Sequence, residues 1–185
     1  MNSPTSFEWH PGARIIPSPN YDVRADGALV ELIVLHSISL PPKVYGGPGI
    51  EQLFTNQLNP DAHPYYAQIA DLKVSSHFVI RRDGELLQFV PVGMRAWHAG
   101  VSNWQGRERC NDFSIGIELE GDDDTAFEAV QYEALAKLLA ALIRQYPIQA
   151  ITSHSHIAPG RKTDPGCCFD WSIVRKSCPD LQVEP

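Results

Sequence analysis

FSIGIELEG, residues 113 to 121, decides the fold because its apolar and polar side chains alternate with the period of a β-strand. Ile115, Ile117 and Leu119 fall on one face of this predicted strand. Glu118 and Glu120 share the other face. The stretch therefore predicts a strand that presents two carboxylates on one side.

Three further segments are typical of strands. LVELIVLH, residues 29 to 36, is a short apolar run that ends on His36, and the proline- and glycine-rich segment after it predicts a loop. HFVIRR and ELLQFV flank Asp83-Gly84, a dipeptide that suits a tight turn, so these two segments should form an antiparallel hairpin. IQAIT, residues 148 to 152, predicts another short strand.

Two helices are predicted between these strands. The apolar pattern over residues 53 to 58 favours a short helix that an Asn-Pro pair interrupts. A longer helix should begin near Thr125, because Thr125 and Glu128 have the spacing of a capping box. Its apolar stripe continues until a proline stops it and consists of Tyr132, Leu135, Leu139, Leu142 and Tyr146. No internal repeat or linker separates these elements, so we expect an α+β fold.

Length and composition predict one globular domain over residues 1–185, and the predicted elements place its core at about 29–176. The chain has 185 residues, of which 43% are hydrophobic and 20% charged, which is ordinary for a globular domain. Fifteen basic and 22 acidic residues give a net charge of -7. Such a field repels phosphate backbones and anionic lipids, so neither nucleic acid nor a membrane surface is an expected partner.

The N-terminal segment indicates a reducing compartment, in which free thiols are expected. MNSPTSFEWHPGARIIPSPN lacks the basic start and unbroken apolar run of a secretory signal, so we expect a cytoplasmic location. The four cysteines show no regular framework spacing, and free thiols are expected in that compartment. They are Cys110, Cys167, Cys168 and Cys178.

Histidines and carboxylates are the candidates for metal chemistry. A catalytic zinc ion generally takes three imidazole or carboxylate ligands and leaves a fourth position open. His36 is a candidate because it ends an apolar strand beside a loop, where a buried imidazole needs a partner. In SHSHIAPGRKTDPG, His154 and His156 would share a face if the backbone is extended, so spacing does not choose between them.

Charged residues near these histidines suggest hydrolysis. Asp164 is a possible metal ligand, and the neighbouring Lys162 is suited to stabilising negative charge on a substrate carbonyl oxygen. Glu118 or Glu120 is suited to taking a proton from a metal-activated water. The pattern alone leaves this pair of glutamates open.

Four blocks of sequence resemble the zinc amidases that cleave 1,6-anhydro-N-acetylmuramyl-L-alanine, whose wider relatives are phage lysozyme amidase and the peptidoglycan recognition proteins. The blocks are LHSISLPP, SSHFVIRRDGELLQFV, RAWHAGVSNWQGRERCNDFSIGIELEG and IAPGRKTDPG. They follow one another in the family's order over nearly the whole chain. The resemblance implies a single domain with a central mixed β-sheet flanked by helices.

The resemblance also implies a role for each matching residue. It implies one Zn²⁺ per chain, held by His36, His154 and Asp164, and it makes Glu118 and Lys162 the catalytic pair. It thereby selects His154 over His156 and Glu118 over Glu120. The residues that match the family's substrate groove are Trp97, Arg109, Ala158, Ser37 and Tyr65.

The implied activity is hydrolysis of the amide between the lactyl group of anhydro-N-acetylmuramic acid and L-alanine of the stem peptide, in cytoplasmic cell-wall recycling. The implied partner is the anhydro-muropeptide, and no obligate protein partner is expected. The alternatives are a noncatalytic module that binds peptidoglycan fragments and a lytic amidase that acts on intact wall. Ser37 and His156 depart from the asparagine and aspartate that are usual in these relatives.

Overall fold

A computed structural model describes residues 8–185. The preceding residues, on which the expected cytoplasmic location partly depends, lie outside the described part. The strands are β1 (Arg14–Ile15), β2 (Tyr21–Val23), β3 (Leu32–Ile38), β4 (Phe78–Ile80), β5 (Leu86–Gln88), β6 (Met94–Ala96), β7 (Asn103–Trp104), β8 (Arg107–Glu108), β9 (Ser114–Glu120), β10 (Ala150–Ser153) and β11 (Gln182–Glu184). The helices are α1 (Gly49–Phe54), α2 (Pro64–Ile69), α3 (Ala129–Gln145), α4 (His154–Ile157) and α5 (Trp171–Ser177), with 3₁₀ turns at Pro60–Ala62 and Cys110–Asp112.

Within residues 8–185, no helix has both the length and the apolar character needed to cross a bilayer.

Seven strands form one mixed sheet in the order β1-β5-β4-β9-β3-β10-β11. Its neighbours are parallel except for β4 and β5, which are antiparallel. The longest strands, β3 and β9, lie side by side in the middle of the sheet. The predicted α+β domain with a central mixed sheet is therefore confirmed.

Helix α3 covers one face of the sheet, and the functional candidates lie on the other. The core under α3 combines alternate residues of the central strands with the helical stripe: Ile33, Leu35, Ile115, Ile117, Leu119, Tyr132, Leu135, Leu139 and Leu142. Side chains alternate along a strand, so His36 and Glu118 point away from this core. The same alternation that builds the core thus places both residues on the opposite face.

The predicted strands are confirmed in type and corrected in extent. The hairpin pairs β4 with β5, and Gly84 has the positive φ of 85° that its turn requires. The strand predicted to end at His36 instead begins at Leu32 and continues to Ile38, because its pairing with β9 extends through that residue. Strand β10 starts two residues after the start predicted from IQAIT.

The predicted capping box at Thr125 is wrong. Helix α3 has Glu128 as its N-cap, and Gln131 completes the capping box by accepting a hydrogen bond from the Glu128 backbone N–H at 3.0 Å. The Thr125 hydroxyl is used elsewhere, since it donates to Asp122 at 3.3 Å. The apolar stripe of α3 is confirmed, with Tyr146 partly buried at its end.

The short helices were predicted less completely. The predicted short helix is confirmed in type but not in extent, because α1 ends at Phe54, before Leu58, and the chain turns at Asn56, whose φ is 60°. Helix α2 follows it without having been predicted. Its N-cap is His63, whose Nδ1 accepts a hydrogen bond from the Tyr65 backbone N–H at 3.0 Å. An imidazole cap on a helix of six residues leaves little periodic signal in the sequence.

The Arg24 side chain links two chain segments through hydrogen bonds to their backbone carbonyl groups. Its side chain is buried at 7% exposure just after β2. The guanidinium donates to the backbone carbonyl oxygens of Asn111 at 3.0 Å, Asp112 at 3.2 Å, Val92 at 3.3 Å and Ser114 at 2.8 Å. One cation therefore satisfies four carbonyl groups from two separate chain segments.

Replacing Arg24 should destabilise the fold. Arg24→Met leaves four carbonyl oxygens without their charged donor, and we expect the free energy of unfolding to fall by about 3 kcal/mol. Urea unfolding followed by circular dichroism measures the change. Arg175→Met, at an exposed position of α5, is the matched control and should shift the value by less than about 0.5 kcal/mol. Equal unfolding curves for the two variants would contradict the role assigned to Arg24.

Candidate active site

The candidate site lies where neighbouring parallel strands reach their carboxyl ends. His36 on β3 is directly opposite Glu118 on β9 in the sheet register. On the other side of β3, strand β10 ends at Ser153, and His154 follows immediately. Carboxyl ends of parallel strands collect at one end of a sheet, which is where α/β proteins commonly bind ligands.

Three ligand atoms converge at this point. His36 Nδ1 lies 2.9 Å from His154 Nδ1 and 3.2 Å from Asp164 Oδ2. His154 Nδ1 lies 3.0 Å from the same carboxylate oxygen. The other nitrogen of His154, Nε2, is 3.1 Å from the Ala99 carbonyl oxygen, which only accepts, so Nε2 carries the proton. Nδ1 of His154 therefore presents a lone pair to the cluster.

The cluster fits a zinc ion. Zinc bonds of about 2.0–2.1 Å in a tetrahedral site place ligand atoms about 3.3 Å apart, and the observed separations are 2.9 to 3.2 Å. Two imidazole nitrogens and one carboxylate oxygen are also a ligand set that zinc prefers. The residues predicted to hold the metal, His36, His154 and Asp164, thus come together with matching chemistry.

Burial governs the electrostatics of the ligands. It lowers the pKa of His36 to about 4, with a further contribution from His154. Burial alone would raise the pKa of Asp164, but its contacts with His154 and His36 outweigh burial and hold that pKa well below its ordinary value. His36 is therefore neutral and the Asp164 carboxyl group ionised near neutral pH, which are the forms that bind a metal.

Glu118 lies beside the cluster with one oxygen free. Its Oε1 is 4.0 Å from His36 Nδ1, and among residues 8–185 its buried Oε2 has no hydrogen-bond partner. Burial, followed by the negative charge of Asp164, raises the pKa of Glu118 well above its ordinary value, and Lys162 offsets part of this rise. A carboxyl group whose pKa lies above its ordinary value holds a proton more readily, which suits a proton carrier.

Glu120 shares the strand face with Glu118 but has a structural environment. Its Oε1 accepts hydrogen bonds from the Gly46 backbone at 2.7 Å and from Arg81 at 3.0 Å, and its Oε2 accepts from the Arg82 backbone at 3.1 Å. Both oxygens are therefore engaged away from the ligand cluster. Among the two glutamates that the sequence pattern left open, only Glu118 faces the cleft with an unpaired oxygen.

Helix α4 separates His154 from His156. An extended backbone would have placed both imidazoles on one face, and that premise is wrong because residues 154–157 form a helical turn. Ser153 caps the turn, and its Oγ accepts from the His156 backbone N–H at 2.9 Å. The His156 side chain is 41% exposed and lies 3.5 Å from Glu184, outside the ligand cluster.

A cleft of about 270 Å³ opens over the cluster. Three of the predicted substrate-binding residues, Ser37, Tyr65 and Trp97, line it, and so does Lys162 at an exposed position. Arg109 and Ala158 line a second cleft of about 500 Å³ that shares none of these lining residues. The structure therefore does not bring this pair into the cleft over the cluster.

His98 is a buried residue of the site that the sequence reasoning missed. Its Nδ1 lies 2.9 Å from His36 Nε2 and its Nε2 lies 3.1 Å from Ser114 Oγ. The segment RAWHAG carries no strand or helix period around His98, so it has no local signal beyond its place within one of the family blocks. Its contact with His36 arises from tertiary structure, which spacing does not reveal.

Comparison with known proteins identifies the family. The family of N-acetylmuramoyl-L-alanine amidases matches residues 20–167. The 1,6-anhydro-N-acetylmuramyl-L-alanine amidase AmpD of Salmonella typhimurium is 59% identical over 169 residues, which span 90% of each chain.

Solved structures agree with this result. A crystal structure of a selenomethionine derivative of AmpD has a TM-score of 0.89 and 56% identity, covering 92% of this chain and 96% of that one. The amidase AmiD of Escherichia coli, solved as a complex with the substrate anhydro-N-acetylmuramic acid-L-Ala-D-gamma-Glu-L-Lys, has a TM-score of 0.61 and 29% identity over 86% of this chain and 61% of that one. The sequence match, the shared fold and the site geometry lead to one conclusion: this chain belongs to the N-acetylmuramoyl-L-alanine amidase family.

Proposed function

We propose that this enzyme is a zinc-dependent amidase that hydrolyses the bond between the lactyl group of 1,6-anhydro-N-acetylmuramic acid and L-alanine of the stem peptide. The observation that carries the proposal is the convergence of His36, His154 and Asp164 beside the unpaired buried oxygen of Glu118. A metal site next to a proton acceptor is the arrangement that metal-assisted hydrolysis requires.

The similar proteins support soluble wall fragments as the substrate. Identity is 59% to a relative named for the 1,6-anhydro substrate and 29% to AmiD, which was solved with an anhydro-muramyl peptide. We infer that the chain acts in the recycling of cell-wall fragments in the cytoplasm. The expected partner is the anhydro-muropeptide itself.

The cleft residues have complementary roles in the proposed reaction. His36, His154 and Asp164 would hold the zinc ion, which would act as a Lewis acid and would lower the pKa of a water molecule to about 7. Glu118 takes one proton from the attacking water and passes it to the departing nitrogen of L-alanine, so that water adds OH to the carbonyl carbon and H to the amine. The ammonium group of Lys162 stabilises the negative charge that develops on the carbonyl oxygen.

Substrate choice tests the proposed activity. The zinc-loaded protein should release peptide from soluble anhydro-muropeptides much faster than from polymeric cell wall, with chromatography of the products as the measurement. Faster release from intact wall would favour a lytic amidase. Binding of the soluble fragment without turnover by the zinc-loaded protein would favour a noncatalytic module and overturn the proposal.

Substitution of Glu118 tests its role as the proton carrier. Glu118→Gln keeps a side chain of the same shape but does not carry the proton, so we expect turnover to fall at least about 100-fold while zinc content is unchanged. Turnover of the anhydro-muropeptide and zinc content are measured on the same sample. Glu120→Gln is the matched control from the same strand face and should keep turnover within the same order of magnitude. Full turnover by Glu118→Gln would exclude the role.

Zinc content tests the choice between the two neighbouring histidines. His154→Ala removes a ligand atom, so we expect the purified protein to lose its zinc. His156→Ala should retain one zinc per chain, because that imidazole lies outside the cluster. Elemental analysis after dialysis measures both variants. Loss of zinc from His156→Ala with retention in His154→Ala would show that the ligand assignment is wrong.

A further inference from the structure

Two consecutive residues hold the outer nitrogens of both histidine ligands. His36 Nε2, on the side of the ring away from the ligand cluster, lies 2.9 Å from His98 Nδ1. His154 Nε2, which also points away from the cluster, donates to the Ala99 carbonyl oxygen at 3.1 Å. A single dipeptide, His98–Ala99, therefore contacts both rings at the atoms opposite the proposed metal.

The hydrogen bonds through His98 have one consistent direction. When His36 Nδ1 presents its lone pair to a metal, its Nε2 carries the proton and donates to His98 Nδ1. His98 then carries its own proton on Nε2, which donates to Ser114 Oγ at 3.1 Å. A hydroxyl oxygen accepts such a bond, so every ring nitrogen in this chain of contacts has a compatible partner.

The dipeptide is itself fixed by two neighbours. Asn111 Oδ1 accepts hydrogen bonds from the backbone N–H groups of His98 at 3.2 Å and Ala99 at 2.8 Å. Gly116 on β9 makes room for the imidazole, because a Cβ at that position would lie 2.5 Å from His98 Cγ. Both the backbone and the ring of His98 are thus held in place.

We propose that the His98–Ala99 dipeptide, clamped by Asn111, is a positioning unit that sets the tautomer and ring orientation of both histidine ligands. The inference rests on the proposed zinc site and extends it beyond the ligands. Partners of this kind orient metal-binding imidazoles, and their removal typically weakens metal affinity by about 10- to 100-fold. The dipeptide takes no direct part in any step of the reaction.

Zinc affinity measured by competition with a chelator tests the proposal. His98→Leu removes the acceptor for His36 Nε2–H, so zinc should bind about 10- to 100-fold more weakly than to the wild-type protein. His98→Asn places an amide oxygen near the position of Nδ1 and should recover most of the affinity. His156→Asn, which replaces an imidazole that lies outside the ligand cluster, is the control and should keep the wild-type affinity.

Nitrogen-15 NMR of the metal-free protein gives a second readout that a purely structural role would not move. The wild-type His154 ring should carry its proton on Nε2, which donates to the Ala99 carbonyl oxygen, and Asn111→Ala should shift that proton towards a mixture of tautomers. Should His98→Leu fail to fold, Asn111→Ala removes the clamp while keeping all the imidazoles, and it should also weaken zinc binding.

The outcomes separate this inference from the proposed function. A wild-type protein that binds no zinc contradicts the proposed function, whereas the tautomer measurement still tests the inference. The inference is overturned if the wild-type protein binds zinc, if folded His98→Leu or Asn111→Ala binds zinc equally tightly, and if the His154 tautomer is unchanged in Asn111→Ala.

Discussion

The parallel pairing of β3 with β9 is the constraint on which the rest of the site depends. It sets His36 opposite Glu118, and the alternation of both strands buries their apolar residues under α3 while turning these two side chains to the open face. A shift of one residue in either strand would place its functional side chain in the core and its core residues in the cleft. Stability and site geometry are therefore specified by the same register.

The site places several ionisable side chains close together in a buried position, where losing contact with water costs free energy. Two imidazoles and a carboxylate lie within hydrogen-bonding distance of one another, and a second carboxyl group lies beside them with its pKa raised by burial. Lone pairs that face each other at 2.9 Å repel unless a cation or a proton lies between them. In the proposed function, a divalent ion between these groups would remove that repulsion, and Glu118 beside them would exchange protons.

Patterns local to the chain predicted much of this fold. The alternation of residues 113 to 121, the Asp83-Gly84 turn and the stripe of α3 each reflect a single element, and each is confirmed. Properties that depend on several elements were not accessible in the same way. The helical turn at His154 overturned the premise that His154 and His156 share a face, and His98 meets His36 only through the packing of an irregular segment. Family resemblance selected the residues for the open pairs, and the geometry agrees with those selections without testing their roles.

The central claim is that His36, His154 and Asp164 hold a catalytic metal, and a crystal structure of the zinc-loaded protein tests it most directly. Anomalous scattering at the zinc edge should give one peak bonded to Nδ1 of both histidines and to the Asp164 carboxylate, with bonds of about 2.0–2.2 Å and Glu118 unbonded beside it. A peak bonded to His156 or to Glu118 in place of one of these ligands, or no peak in the cleft of a zinc-saturated crystal, would contradict the account.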